Sequence, residues 1–304
     1  MKPIRTGGQP VALVTGASGG FGFYTSLALA QAGYLVIATM RDLQKRDRLL
    51  QEADVSGAGS NIVCMRLDVT DRRTITSTVQ EVVARFGRID VLVNNAGYAA
   101  GGFAEEVQPE DWVRQIDTNF FGVIAVTQAV LPVMRQLRRG KIINLSSVSG
   151  VAAFPGYGPY AASKFALEGF TEALRLELLP FGIYAVLVQP GSYRTGIWRK
   201  GFDSLRVQNG SPYRDMLETV LHISRETAGT ARDPREVADL IVKIAGKRKP
   251  RLRYPIGRGS RLIRLGKTLM PWTWYEWLIM RGIARKKKKI NAVRKKRSQK
   301  SGLF

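Results

Sequence analysis

The chain has 304 residues, 45% of them hydrophobic and 31 of them glycine; this suffices for one large α/β core and excludes a chain disordered throughout. One cysteine, Cys64, and one histidine, His222, exclude an internal disulfide framework and a cysteine-rich metal site, and argue against a histidine-ligated metal or a Ser-His-Asp triad. The formal charge of +23 is uneven: residues 247–304 hold 20 Lys/Arg against the single acid Glu276, whereas residues 1–246 hold 27 against 23 acids, so a basic appendage follows a nearly balanced domain.

The start, Met1–Pro10, is short and polar with no apolar segment of the kind a secretory signal needs, so a cytoplasmic protein is expected. A strand is predicted at Val11–Thr15, running into T-G-A-S-G-G-F-G and a helix that closes at Gly33. Glycines at 16, 20 and 22 permit a tight turn and close backbone approach, and the helix start offers free N–H groups to a pyrophosphate. Further strands are expected at 34–39, 61–67, 89–93, 141–145, 183–189 and 251–255, with helices over 42–56, 71–86, 110–137, a helix bearing Tyr160 and Lys164 that runs to about 180, and one over 234–246. This alternation predicts an α/β fold: a doubly wound, Rossmann-type parallel sheet of seven strands with helices on both faces. Gly16, Thr39, Asp68 and Asn95 all fall at the carboxyl ends of strands, where such sheets bind ligands. The apolar face of the 110–137 helix reads as core or as a subunit interface, which leaves a homo-oligomer open. Residues 196–230 are polar with scattered aromatics (Trp198, Phe202, Tyr213) and read as an irregular lid over the substrate.

Tyr160 and Lys164 stand four residues apart at the start of a predicted helix, on one face of it. An ammonium beside a phenol favours the phenolate, which suits acid/base work near neutral pH. Alone the pair is weak, because any helix can carry it.

The motifs TGASGGFG (15–22), LDV (67–69), NNAG (94–97), Asn119, NLSSVSG (144–150), YAASK (160–164) and PGSYRT (190–195) occur in an order and spacing that resembles the short-chain dehydrogenase/reductase family over about residues 10–256. The resemblance implies an oxidoreductase in which Tyr160 is the general acid/base. Lys164 would lower its pKa and bind the nicotinamide ribose, Ser147 would hold the substrate oxygen, and Asn119 would position a relay water. It also implies that Gly16, Gly20 and Gly22 bind the pyrophosphate, with Thr15, Ser18 and Phe21 in the same loop. Asp68 and Val69 would meet the adenine, Asn95, Ala96 and Gly97 the adenosine ribose, and Pro190, Gly191 and Thr195 the nicotinamide carboxamide. The second strand ends A-T-M-R-D, with Thr39 where an acid would exclude a 2′-phosphate and Arg41 two residues on; NADP(H) is favoured over NAD(H), with Asp42 the complication. Phe154, Pro155, Tyr157, Phe103 and residues 192–228 are expected to line an apolar pocket for a hydrophobic alcohol or ketone. The S-K-F-A-L-E-G run and L-L-P-F-G (178–182) are similar to the hydroxysteroid and retinol dehydrogenase branch.

The expected organisation is one catalytic domain over 1–258 and an extension over 259–304. The extension places apolar residues at helical spacing among basic ones, with Trp272, Trp274, Tyr275 and Trp277 clustered, and is too interrupted to span a bilayer. Two readings stand level: an interfacial helix on an anionic membrane, backed by the lysines at 286–289, or a segment over 259–280 packed on the cleft or a subunit contact, with 285–304 a disordered, solvated tail. Nucleic-acid binding ranks third, since no recognised module accompanies the charge. A non-catalytic dinucleotide-binding scaffold is the alternative to the enzyme.

Overall fold

The computed structural model describes residues 8–196 and 210–301. Strands β1 (Val11–Thr15), β2 (Leu35–Met40), β3 (Ile62–Arg66), β4 (Val91–Asn94), β5 (Gly140–Leu145), β6 (Ile183–Pro190) and β7 (Arg253–Ile256) form one parallel sheet in the order β3-β2-β1-β4-β5-β6-β7. The order reverses between β1 and β4, which opens a crevice at their carboxyl ends.

The strands read as continuous apolar runs because the sheet is buried on both faces. Ala12 and Val14 point into a core built with helices α1 (Gly20–Gln31) and α8 (Arg235–Gly246) and the residues of α2 (Asp47–Val55). Val11 and Leu13 point the other way, onto α3 (Arg72–Phe86), α5 (Gly122–Leu137) and α6 (Gly158–Leu178). Helix starts carry their signals: the Asp71 carboxylate accepts from the Arg73 N–H at 2.9 Å ahead of α3, and the Asp233 carboxylate accepts from the Arg235 N–H at 2.9 Å ahead of α8. A polar ladder crosses the sheet. Asn94 and Asn144, register partners on β4 and β5, are joined Nδ2 to Oδ1 at 2.9 Å. Asn94 also donates to Thr127 of α5 (3.1 Å), and Asn144 donates to Thr171 of α6 (2.9 Å).

Four expectations are refined. The 42–56 helix is split by a 3₁₀ turn at Leu43–Lys45 that Asp42 caps. The 110–137 helix comprises α4 (Pro109–Ile116), a π turn at Asp117–Phe121 and α5; it is long and apolar enough to cross a membrane by length and composition, yet it packs against α3 and α6 as a layer of this fold. The lid segment is not irregular throughout: α7 (Arg214–Gly229) turns Leu217, Val220 and Ser224 inward at helical spacing, a stripe that its small polar member conceals in the sequence. Trp198 and Phe202 lie outside the described residues. Beyond β7, α9 (Ser260–Leu269) is followed by α10 (Trp272–Ser301), which stays helical where a solvated tail was one expectation.

Candidate active site

The loop between β1 and α1 is a cradle that side chains would fill. Gly16 has φ +70°, and a Cβ there would stand 2.9 Å from the Cα of Ala96; one on Gly22 would overlap the Gly16 carbonyl and the Asn95 amide. Gly97 is similarly tight, 2.9 Å from the Asn119 Oδ1. Helix α1 starts after Gly19 with no side-chain cap, so its first N–H groups have no side-chain partner. Ser18 is exposed beside them. Thr15 and Asn95 build this cradle through bonds between its two loops. The buried Thr15 hydroxyl accepts from the Asn95 and Ala96 N–H groups, each at 3.0 Å, and Asn95 Nδ2 donates to the Thr15 carbonyl at 2.8 Å. A bare, glycine-walled helix start at a sheet switch point fits the pyrophosphate of a dinucleotide.

At the end of β2 the structure separates Thr39 from Arg41. Thr39 is fully buried and its hydroxyl donates to the Val14 carbonyl at 3.0 Å, so it serves the sheet and does not face a ribose. Arg41, the first residue after the strand, is exposed. Asp42 accepts from the Gln44 N–H at 3.0 Å and sits 3.4 Å from Lys45, engaged in its own turn. Asp68 likewise holds a turn, accepting from the Thr70 N–H and hydroxyl. Val69 is buried under Gly122 of α5.

Ser147, Tyr160 and Lys164 come together from β5 and α6. Ser147 and Tyr160 line one cavity together, and the Ser147 Oγ accepts from the Ser149 N–H at 3.1 Å. Lys164 Nζ lies 5.7 Å from the Tyr160 ring centre and donates to the Leu145 carbonyl at 2.7 Å. Burial raises the Tyr160 phenol, opposed by the nearby Ser147 hydroxyl; burial drives Lys164 down to about 8, opposed by Glu168 one turn along. Desolvation therefore outweighs the phenolate-stabilising effect of the ammonium expected from spacing alone.

Asn119, in the π turn, is buried and fully engaged. Its Oδ1 accepts from the Tyr98 N–H at 3.1 Å, and its Nδ2 donates to the Tyr98 carbonyl at 2.9 Å and to Ser163 at 3.1 Å. Sequence reasoning missed Gln115, also buried, which donates to the same Tyr98 carbonyl and accepts from the Ala100 N–H. Its spacing of four residues from Asn119 on an amphipathic helix is the signal that could have found it. Tyr193 was missed too: buried, it donates to Glu236 of α8 at 3.2 Å, meets Phe21 edge-on at 5.6 Å, and so pins the 190–195 turn over the cradle. Burial and Glu236 push its phenol up to about 12.

A cavity of about 460 Å³ opens from Ser147 and Tyr160. Phe21, Pro190, Gly191 and Thr195 border it on the cradle side, and Phe154, Pro155, Tyr157, Val220 and Ile223 on the other. Phe103 does not line it; its ring stacks on Tyr213 at 4.7 Å instead. Part of the wall comes from the extension, through Ile263 of α9 and Leu278, Ile279 and Ile283 of α10. The reading in which the extension covers the cleft is thus the arrangement observed, anchored where Ser260 packs on Gly191 and where the Tyr275 hydroxyl reaches the Ala153 carbonyl at 3.4 Å.

A family model described as short chain dehydrogenase matches residues 10–205. The chain is similar to the uncharacterized oxidoreductase YusZ of Bacillus subtilis, 43% identical over 274 residues that cover 89% of this chain and 97% of that one. It is also similar to a 3-ketodihydrosphingosine reductase of Bacteroides thetaiotaomicron, 39% identical over 82% and 88% of the two chains. Among solved structures, a short-chain dehydrogenase from Streptomyces avermitilis superimposes with a TM-score of 0.76 at 32% identity, covering 92% of this chain and 98% of that one. ElxO with NADP bound (0.66, 29% identity, 79% and 92% covered) and a Burkholderia phymatum short-chain dehydrogenase/reductase in complex with NAD (0.72, 26%, 84% and 92%) share the fold as well. The glycine cradle and the Ser147–Tyr160–Lys164 cluster therefore sit in a protein of known lineage: the chain belongs to the short-chain dehydrogenase/reductase family and is an NAD(P)-dependent oxidoreductase.

Proposed function

We propose that the protein moves a hydride between NADP(H) and a hydrophobic ketone or alcohol, with Tyr160 carrying the proton. The observation that supports it most is the placement of Ser147 and Tyr160 together in the wall of an apolar cavity that Phe21 of the cradle loop also borders. When bound, the dinucleotide supplies or accepts the hydride. In the reducing direction Ser147 holds the carbonyl oxygen and Tyr160 gives it a proton as the carbon gains hydride; the reverse direction runs the same steps backwards. Gly16, Gly20, Gly22 and the α1 start would hold the pyrophosphate, and Lys164 the ribose. The 3-ketodihydrosphingosine reductase among its relatives is named for a lipid ketone, which agrees with the apolar wall. A panel of ketones and alcohols of rising chain length, run with NADPH and with NADH, tests the reading: turnover should grow with apolar substrate size, and no turnover with any pair would sink it.

Cofactor preference rests on Arg41, exposed just past β2, while the following acid, Asp42, is engaged in its own turn. Arg41→Ala should weaken NADPH binding by about 10–100-fold, the range of a lost charge-assisted phosphate contact, and leave NADH within about threefold. A fluorescence titration with both dinucleotides measures this; equal losses for the two would remove the 2′-phosphate contact.

Lys164 sets a pH dependence. Its folded pKa, about 8, lies below the unfolded 10.5, so between those values the unfolded chain binds more protons and this group makes stability rise with pH. Activity should move oppositely. With the ketone saturating, kcat/KM for NADPH should fall above about pH 8 as the ribose loses its cation, because that ratio reports groups of the free enzyme. In Lys164→Arg, whose charge persists, the residual activity should lack that limb.

A further inference from the structure

The extension does more than close the cavity, because it leaves a large apolar surface on the outside. On α9, Leu262, Leu265 and Leu269 recur at i, i+3 and i+7 and are 74%, 56% and 72% exposed. On α10, Trp272, Trp274 and Trp277 are each more than half exposed. The two helices are tied together through Lys267, whose ammonium lies 3.6 Å from the Trp272 ring centre and 4.5 Å from that of Tyr275. A soluble monomer seldom leaves so many large apolar side chains side by side.

The charge around this surface is almost all positive, with Glu276 the one acid of the extension. Residues 259–304 hold 14 Lys/Arg and one acid, and Arg261, Arg264, Arg285, Lys288 and Lys289 are exposed. Lys286 and Lys287, by contrast, are bound to Glu226 and Asp215 of α7 and hold α10 against the body. Exposed tryptophans and leucines bordered by arginines and lysines match the interface of an anionic bilayer, where aromatic rings lie at headgroup depth and basic side chains meet lipid phosphates. One residue joins this surface to the reaction site. Leu278 is half exposed and also lines the cavity, so the cavity mouth opens one residue from Trp277 and one turn from Trp274.

We propose that α9 and α10 seat the protein on an anionic membrane with the cavity mouth against the lipid, so that apolar substrate enters from the bilayer rather than from water. The entry route rests on the proposed reaction; the docking does not. The test uses the full chain and its Trp274→Ala/Trp277→Ala variant, which alters neither the cavity wall nor the reacting groups. Sedimentation with vesicles of phosphatidylcholine and 30% phosphatidylglycerol should capture the parent at least tenfold more tightly than pure phosphatidylcholine vesicles, and the variant should lose about tenfold of that binding. With NADPH, a long-chain ketone carried in the anionic vesicles should be reduced about tenfold more slowly by the variant, while a short water-soluble ketone is turned over within twofold of the parent.

A parent chain left in the supernatant with anionic vesicles overturns the docking. So does a parent chain that self-associates in analytical ultracentrifugation and is made monomeric by the same substitutions, since the surface would then belong to a second copy. Vesicle binding with undiminished reduction of the vesicle-borne ketone by the variant overturns the entry route. Absence of turnover on either ketone by the parent strikes at the reaction itself, and the route with it, and leaves the docking to be decided by sedimentation.

Discussion

Tyr160→Phe is expected to lower kcat about 10²–10⁴-fold while dinucleotide affinity stays within about twofold, because the substitution removes one oxygen and keeps the ring. Tyr160 lines the cavity beside Ser147, so the cradle and the exposed Arg41 are untouched by the loss of its oxygen. The ratio of effects matters more than the size of either. A general acid that acts only as the carbonyl carbon gains hydride contributes to the transition state and not to ground-state binding, so kcat and kcat/KM should fall together. Steady-state kinetics with a fluorescence titration of NADPH separate the two quantities. Activity within tenfold of the parent would remove Tyr160 from the proton transfer.

Gly22→Ala should be as severe by another route. The new methyl would overlap the Gly16 carbonyl oxygen and Asn95 Nδ2, and would lie 2.9 Å from the Gly16 carbonyl carbon. Neither neighbour can yield cheaply: one is backbone, and the other holds the Thr15 carbonyl at 2.8 Å. Overpacking of this kind costs about 1–3 kcal/mol, or roughly 2–5 °C of Tm for a chain of this size. Because the strain falls on the cradle, added NADPH should restore little of that loss. Gly20→Ala is the contrast. Its φ of +57° carries backbone strain, but its nearest neighbour, Thr195, is 3.7 Å away, so about 1 kcal/mol is expected. Thermal unfolding of both variants with and without NADPH decides; equal shifts would show that crowding at Gly22 is not the controlling term.

Most strands were legible because each is a short apolar run that stops at a polar residue or a glycine, and a sheet buried on both faces needs nothing subtler. Their order was not, since no local pattern records which strand neighbours which. At the site, residue type and spacing located Ser147, Tyr160 and Lys164, but spacing could not weigh burial against charge. That balance is what leaves Lys164 poised near 8 and the phenol raised. Thr39 illustrates a different limit: its position at a strand end was visible, whereas the inward turn that gives its hydroxyl to Val14 depends on β1 lying alongside. The covering of the cavity by α10 was half legible, because an amphipathic helix shows that it has an apolar side without showing what that side meets.

The paired amides inside the sheet have a consequence for copying errors in assembly. Asn94 and Asn144 stand at the head of functional sequence: Asn95 opens the cradle loop, and Ser146 and Ser147 follow Asn144 by two and three positions. If β5 slid past β4 by one residue, every side chain would change face, and two amides together with Thr127 and Thr171 would lose partners in a dry interior, at about 1–3 kcal/mol for each group left unmatched. Apolar neighbours such as Val93 and Ile143 would penalise the slip far less, since one aliphatic contact substitutes for another. The amides thus act as an index mark: they reject misaligned copies of the sheet before any ligand arrives, and fix how far the catalytic serine stands from the loop that carries the dinucleotide.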